Sequence, residues 1–355
     1  MTSTPVLLLI TNSYDTTADL LVSRVGPQAV FRFNFDIWPD YGFELTADGP
    51  AFRDPSGRTI KAPEIAKVLW RKPRSRTGYR PASQTDEDRY YDQEVWYALR
   101  DLVNLLWLDG KVVLAEPFAE LRAGKFVQMR VASRYFQVPP YQFRRAMPSR
   151  FAFGTLTVAK SLTMEPVGEE AQRELLFTTR VDDADLSPEC PWMVQQLIDA
   201  QKDVTVAFVR DRLFAFELDR TQFREKHVDW RELPSESRPL GWEKHSLPKE
   251  TVMAIHAFMA EMGLQFGRFD FLLGPEGYFF LEVNSNGEWA WLDADGRHGL
   301  LPKVVEEISP LTALHPLPMP RGVITGLPKR MLDLAAAACE VRSNREPSGE
   351  SAAAA

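Results

Sequence analysis

Two apolar runs on either side of Gly274-Pro275-Glu276-Gly277 constrain this chain more than any other feature. Phe269, Phe271 and Leu272 lead into the glycine pair, and Phe279, Phe280, Leu281 and Val283 lead out of it. Aromatic and branched residues around a short Gly/Pro turn predict a β-hairpin. Carboxylates sit inside these runs. Asp270 lies in the first, Glu282 in the second, and Asn284 shares the face of Glu282 because alternate strand residues point the same way. Burying carboxylates among phenylalanines is costly unless a cation compensates. Oxygen donors of this kind suit Mg²⁺, which takes one or two carboxylates plus nucleotide phosphates. A symmetric two-residue turn at Pro275-Glu276 puts Asp270 on the opposite face. A shared site therefore requires a longer or bulged connection. The bland alternative is a hairpin whose acids face solvent.

The rest of the chain bounds the setting. At 355 residues and 45% hydrophobic content, it is too long for one compact core, so two or three subdomains are expected. A formal net charge of -7 argues against nucleic acid as a partner. Two distant cysteines, Cys190 and Cys339, fit neither a disulfide scaffold nor a zinc site. The N-terminus lacks signal-peptide features, and no apolar run approaches the roughly 18 residues of a membrane span. The expectation is a soluble cytoplasmic protein with no membrane partner.

Strands are predicted at Val6–Ile10, Val30–Phe35, Ala66–Trp70 and Lys111–Leu114, with a hairpin over 43–60. Asp15 opens the first helix, and further helices are predicted at 87–106 and 119–136. Short strands follow at 156–160, 175–181, 192–196, 204–209 and 213–217, then loop at 241–246. An amphipathic helix runs over 248–262 with Gly263 as its stop, and a last helix covers 300–308. The division expected is an N-terminal α/β domain at 1–118, a central subdomain at 119–200, a C-terminal subdomain at 201–312, and a Pro-rich linker with a disordered tail at 313–355, holding at most a helix at 331–341.

The hairpin resembles the metal-binding end of ATP-grasp enzymes. The resemblance implies an α/β (α+β) ATP-grasp fold with an N-terminal pre-ATP-grasp domain, a small central domain and a C-terminal antiparallel ATP-binding sheet. It implies ATP and Mg²⁺, with Asp270, Glu282 and Asn284 as metal ligands. Lys125 and Lys160 occupy the positions of the family's phosphate-binding lysines, and a compact ammonium suits that task. Gln195, Gln196, Leu197 and Ile198 resemble the strand that reads adenine through its backbone, with Asp199 or Asp203 reaching the ribose. Arg231, in Asp229-Trp230-Arg231, is the first catalytic candidate for binding phosphate or acyl-phosphate bidentately, and Arg220 is the second. His227, His256 and His298 form no nucleophilic set, and His256 reads as structural.

From Val6 to about Ile308 the chain resembles the graspetide (microviridin-type) peptide maturases, carried by phrases such as Val-Leu-Trp-Arg-Lys-Pro, Asp-Trp-Arg and Leu-Glu-Val-Asn-Ser-Asn-Gly-Glu-Trp-Ala-Trp-Leu. Such enzymes activate Asp or Glu side chains of a ribosomal precursor peptide as acyl-phosphates. A Thr, Ser or Lys of the same peptide then closes an ester or amide ring. The partner implied is that precursor, with a leader and an acidic, Thr-containing core, and a homodimer is left open. Trp289 and Trp291 fit this group. So does the scarcity of glycine between Lys160 and Arg180, where only Gly168 stands. Departures are Ser285, where proline is frequent, and Thr205, where related ligases carry arginine. Arg71–Arg80 is a basic cluster that reads either as a solvated loop or as an edge meeting an acidic peptide. The alternatives are a ligase resembling the ribosomal-protein glutamate ligases and a catalytically silent binding module.

Overall fold

The apolar run near the N-terminus forms β1 (Val6–Thr11), whose six residues are all buried. It is the middle strand of a parallel sheet, between β2 (Val30–Asn34) and β6 (Ile65–Trp70). Parallel strands covered on both faces read as unbroken apolar runs, as this one does. The computed structural model describes residues 4–73, 85–146, 153, 156–163, 177–182, 186–223, 227–233 and 241–318. Asp15 caps α1 (Thr16–Val25), accepting a hydrogen bond from the Ala18 amide at 3.0 Å. The hairpin expected over 43–60 is a three-stranded antiparallel sheet of β3 (Gly42–Thr46), β4 (Gly49–Arg53) and β5 (Thr59–Lys61). Thr85 and Asp88 form a capping box at the start of α2 (Asp86–Leu108).

Two sequence expectations change here. The strand expected at 111–114 is a single parallel bridge from Val68 to Val112, because Leu114 takes a left-handed φ of 61°. The helix expected over 119–136 breaks into α3 (Ala119–Arg122) and α4 (Lys125–Ala132). Gly124, extended at ψ 147°, separates them and makes Lys125 the first residue of α4. The prolines at 139–140 then lead to β7 (Tyr141–Arg144).

β8 (Thr157–Lys160), β9 (Thr179–Arg180) and β10 (Trp192–Gln196) join β7 in an antiparallel sheet of order β7-β10-β8-β9. Of the strand expected at 175–181, residues 175 and 176 lie outside the described residues, and so does Gly168. The C-terminal sheet comprises β11 (Lys202–Val209), β12 (Arg212–Asp219), β13 (Glu243–Lys244), β14 (Phe266–Gly274) and β15 (Gly277–Asn284), in the order β13-β12-β11-β14-β15. The two-residue β13 falls in a stretch expected to be loop. α5 (Lys249–Met262) ends at Gly263, whose φ of 64° is the left-handed stop expected. Behind the sheet, Phe136, Phe258, Phe269, Phe271 and Phe280 interlock with ring centroids 5.3–6.4 Å apart. Aromatic pairs at these spacings add stability beyond the area they bury.

The hairpin meets its register condition in an unexpected place. The turn is the short one, with Gly274 opposite Gly277 and only Pro275 and Glu276 between them. The register then slips, so Phe271 faces Phe280 but Asp270 faces Glu282. Leu281 is the extra residue of a β-bulge, and the bulge lets Phe280 point into the core while Glu282 points away from it.

α6 (Leu300–Ile308) returns to the start of the chain. Leu300, Leu301, Val304 and Ile308 share a core cluster with Leu7, Leu9, Ala18 and Leu21. The described residues up to Leu317 form one compact unit, and the helix expected at 331–341 lies outside the described residues. Among the described residues, no helix is long and apolar enough to cross a membrane.

Candidate active site

Side chains of β8, β10, β11, β14, β15 and the first turn of α4 line a cavity of about 680 Å³. Lys125, Lys160, Asp203, Arg220, Arg231, Asp270, Glu282 and Asn284 all reach it, as do Gln195, Gln196, Leu197 and Ile198. Asp199 does not. It is exposed, with its backbone carbonyl against Gly274, so of the two acids considered for a ribose only Asp203 lines the cavity.

Asp270 and Glu282 are direct cross-strand partners, and Asn284 bridges them. The Asn284 amide donates to Glu282 Oε1 at 3.1 Å and approaches Asp270 Oδ2 at 3.4 Å. Thr205 Oγ lies 3.0 Å from Asp270 Oδ1. Among the described residues no three His, Cys, Asp or Glu side chains gather as a metal cage. Two carboxylates and a carboxamide oxygen instead suit a hard cation that takes its remaining oxygens from a phosphate ligand. Turning the Asn284 amide over would complete that oxygen set. Cations balance the carboxylates: Lys125 pairs with Glu282, and Arg268 donates to Asp270 Oδ2 at 2.9 Å. Burial pushes the Glu282 carboxyl up, but Lys125, Lys160 and Arg231 outweigh it and hold the group well below the usual carboxylate range. The same burial pushes the Lys160 ammonium down to about 8.

Arg231 is aligned from its own motif. Asp229 Oδ1 and Oδ2 accept from its Nε and terminal nitrogen at 2.8 and 2.6 Å, and Asp229 Oδ1 also accepts the Arg231 amide at 3.0 Å. Burial disfavours its charge, yet Asp229 more than compensates and keeps the guanidinium firmly protonated. Arg220 is placed differently from the sequence expectation. It is 5% exposed and holds both oxygens of Asp203 at 2.9 Å and the Val228 carbonyl at 2.9 Å. It therefore anchors the Asp229–Arg231 turn instead of presenting an open fork to a ligand. Burial pushes the Asp203 carboxyl up to about 7 in spite of Arg220.

β10 is paired on both sides. The amides of Gln196 and Leu197 are engaged by the carbonyls of Pro140 and Leu156 at 2.9 and 2.7 Å, so Ile198 carries the first amide past the ladder. His256 packs edge-on against Phe208, in keeping with a structural role.

Several residues of the site were not anticipated. Gln128 of α4 accepts from the Val283 amide at 2.8 Å and donates to the Val283 carbonyl at 2.9 Å, holding the backbone between Glu282 and Asn284. Arg268 has a buried Nε with no hydrogen-bond partner. Only its place two residues before Asp270, on the same strand face, signalled it. Of the basic cluster, Arg71 and Lys72 meet Glu288 at 2.6 and 3.2 Å, while residues 74–80 lie outside the described residues.

No protein-family model matches the sequence, and no curated protein matches it significantly. Solved structures do match its fold. The macrocyclase MdnC of Microcystis aeruginosa MRC, bound with precursor peptide MdnA, superposes with a TM-score of 0.70 at 21% identity, covering 85% of this chain and 99% of that one. A RiPP-associated ATP-grasp ligase of Chryseobacterium gregarium, in complex with ADP and a leader and core peptide, gives 0.65 at 20% identity, covering 86% and 96%. The macrocyclase MdnB of Microcystis aeruginosa MRC gives 0.61 at 23% identity, covering 85% and 98%. The chain has the ATP-grasp fold.

Proposed function

We propose that this chain is an ADP-forming ligase that activates Asp or Glu side chains of a ribosomal precursor peptide and closes ester or amide rings within it. One observation carries the reading: a single cavity collects Lys125, Lys160, Arg231, Asp270, Glu282 and Asn284. The similarity in fold to peptide macrocyclases supports the choice of substrate. ATP is the co-substrate, its base beside Gln195–Ile198 and its ribose toward Asp203, between subdomains 119–200 and 201–312. Mg²⁺ held by Asp270, Glu282 and Asn284 would neutralise phosphate charge. The setting is the cytoplasm.

Carboxylates are poor electrophiles, and a carboxylate and a triphosphate repel each other. Lys125 and Lys160 draw the phosphates in, and Arg231, fixed by Asp229, faces the charge that develops on the transferring group. The peptide carboxylate takes the γ-phosphoryl group and ADP leaves. A hydroxyl or amine of the same peptide then attacks the carbonyl carbon, and inorganic phosphate leaves. Because no enzyme nucleophile is needed, the absence of a Ser/His/Asp or Cys/His set among the described residues is no obstacle.

The test is intact-mass spectrometry after incubation with ATP, Mg²⁺ and a ribosomal precursor peptide that carries a leader and an acidic, Thr-containing core. Loss of one water per ring, with matching ADP release, is expected. A gain of one amino-acid residue would contradict the reading in favour of a glutamate-ligase type, and nucleotide binding without turnover would reduce the chain to a binding module.

A further inference from the structure

We infer that Trp230, Trp242 and Trp291 form a wall that keeps water from the activated carboxylate, so that the peptide's own acceptor captures it. The inference rests on the ligase reading above. The three indoles come from separate segments and touch one another, with ring centroids 5.9 Å (Trp230–Trp242), 5.8 Å (Trp230–Trp291) and 5.3 Å (Trp242–Trp291) apart. All three line the cavity. The cluster is anchored at both ends. Trp242 packs against the core cluster that holds Phe216, Trp289 and Leu292. Trp291 lies under the Arg268 guanidinium at 6.0 Å, and that guanidinium donates to Asp270. One arginine thus couples the wall to the carboxylates of the site.

Nothing in the handling of nucleotide or metal calls for indoles, since lysines, arginines and carboxylates already do that work. Trp291 is nevertheless 41% exposed at a polar site, although so large an apolar side chain is ordinarily mostly buried. The ring faces of such a surface cover the site and offer water no acceptor. The chemistry gives that exclusion a purpose. When the acceptor hydroxyl or amine attacks the acyl-phosphate, the C–O bond to phosphate breaks, phosphate leaves with the electron pair, and the nucleophile loses its proton. ATP, carboxylate and acceptor become the new bond, ADP and phosphate. When water attacks instead, the same bond breaks and the carboxylate returns. ATP is then hydrolysed with no ring made.

The measurement is ADP released per ring formed, with wild type, W291F and W291A acting on the same precursor peptide, and W230L as a second wall variant. Wild type and W291F are expected to stay near one ADP per ring. In W291A and W230L the ADP released in excess of one per ring, which counts hydrolysis against capture, should rise about tenfold over wild type, as when about 1.4 kcal/mol of discrimination between acceptor and water is lost. An excess no larger than that of wild type in both truncated variants, whatever their rates, would overturn the inference and leave the ligase reading intact. Absence of any ring from wild type would overturn the ligase reading itself. Melting curves confirm that each variant is folded, and Trp291, being partly exposed, is the safer position to truncate.

Discussion

Glu282 is surrounded by Lys125, Lys160 and Arg231, and its neighbour Asn284 donates to it. So many positive groups around one buried carboxylate are useful when anionic phosphates arrive and expensive when they do not. Lys160 carries that cost most clearly, because its ammonium falls from an ordinary 10.5 to about 8 on folding. The sign follows from the depressed value. Below pH 8 the fold holds a charge it disfavours, and as pH rises toward 10.5 the folded protein has shed the proton while the unfolded chain still binds it. Stability contributed by this group therefore increases between pH 8 and 10.5. Lys160→Met should raise the ligand-free melting temperature at pH 7, by on the order of 1–2 kcal/mol of stability, while abolishing ATP turnover. The gain over wild type should shrink to about a quarter by pH 10. Paired melts at the two pH values check this, and equal gains at both would contradict it.

At the scale of elements, α4 and the bulged β15 form one device. α4 begins where Gly124 interrupts the helix, which puts Lys125 on Glu282 and Gln128 on both backbone groups of Val283. Gln128→Leu would leave that buried N–H and C=O unmatched. We expect a loss of about 2–4 kcal/mol by urea denaturation and weaker Mg²⁺-dependent turnover, whereas a purely peripheral role would leave both unchanged. The need for a bulge was legible in the sequence, because strand parity forbids Asp270 and Glu282 from sharing a face across a two-residue turn. Its place at Leu281 was not legible, since either strand or the turn could have absorbed the extra residue. The break at Gly124 was missed for a related reason: the apolar spacing of 119–136 suits one helix, and only the tertiary demand of Val283 on Gln128 favours two.

Across the whole molecule, the site depends on segments more than two hundred residues apart. Arg71 reaches Asp15 at 2.8 Å and Glu288 at 2.6 Å, Asn286 donates to the Trp70 carbonyl at 3.2 Å, and α6 shares its core with β1 and α1. These contacts were not legible in the sequence. Local periodicity predicts elements, not which ends of a chain meet, and the Arg71 cluster read equally well as a solvated loop. What was legible was the chemistry gathered on the hairpin. The central claim built on it is that a peptide carboxylate is activated as an acyl-phosphate, and isotope transfer tests that claim most directly. With the precursor's side-chain carboxylates labelled in heavy oxygen, each ring closed should deliver one labelled oxygen into the inorganic phosphate released. Rings formed with unlabelled phosphate, or with the label found in AMP, would contradict the account.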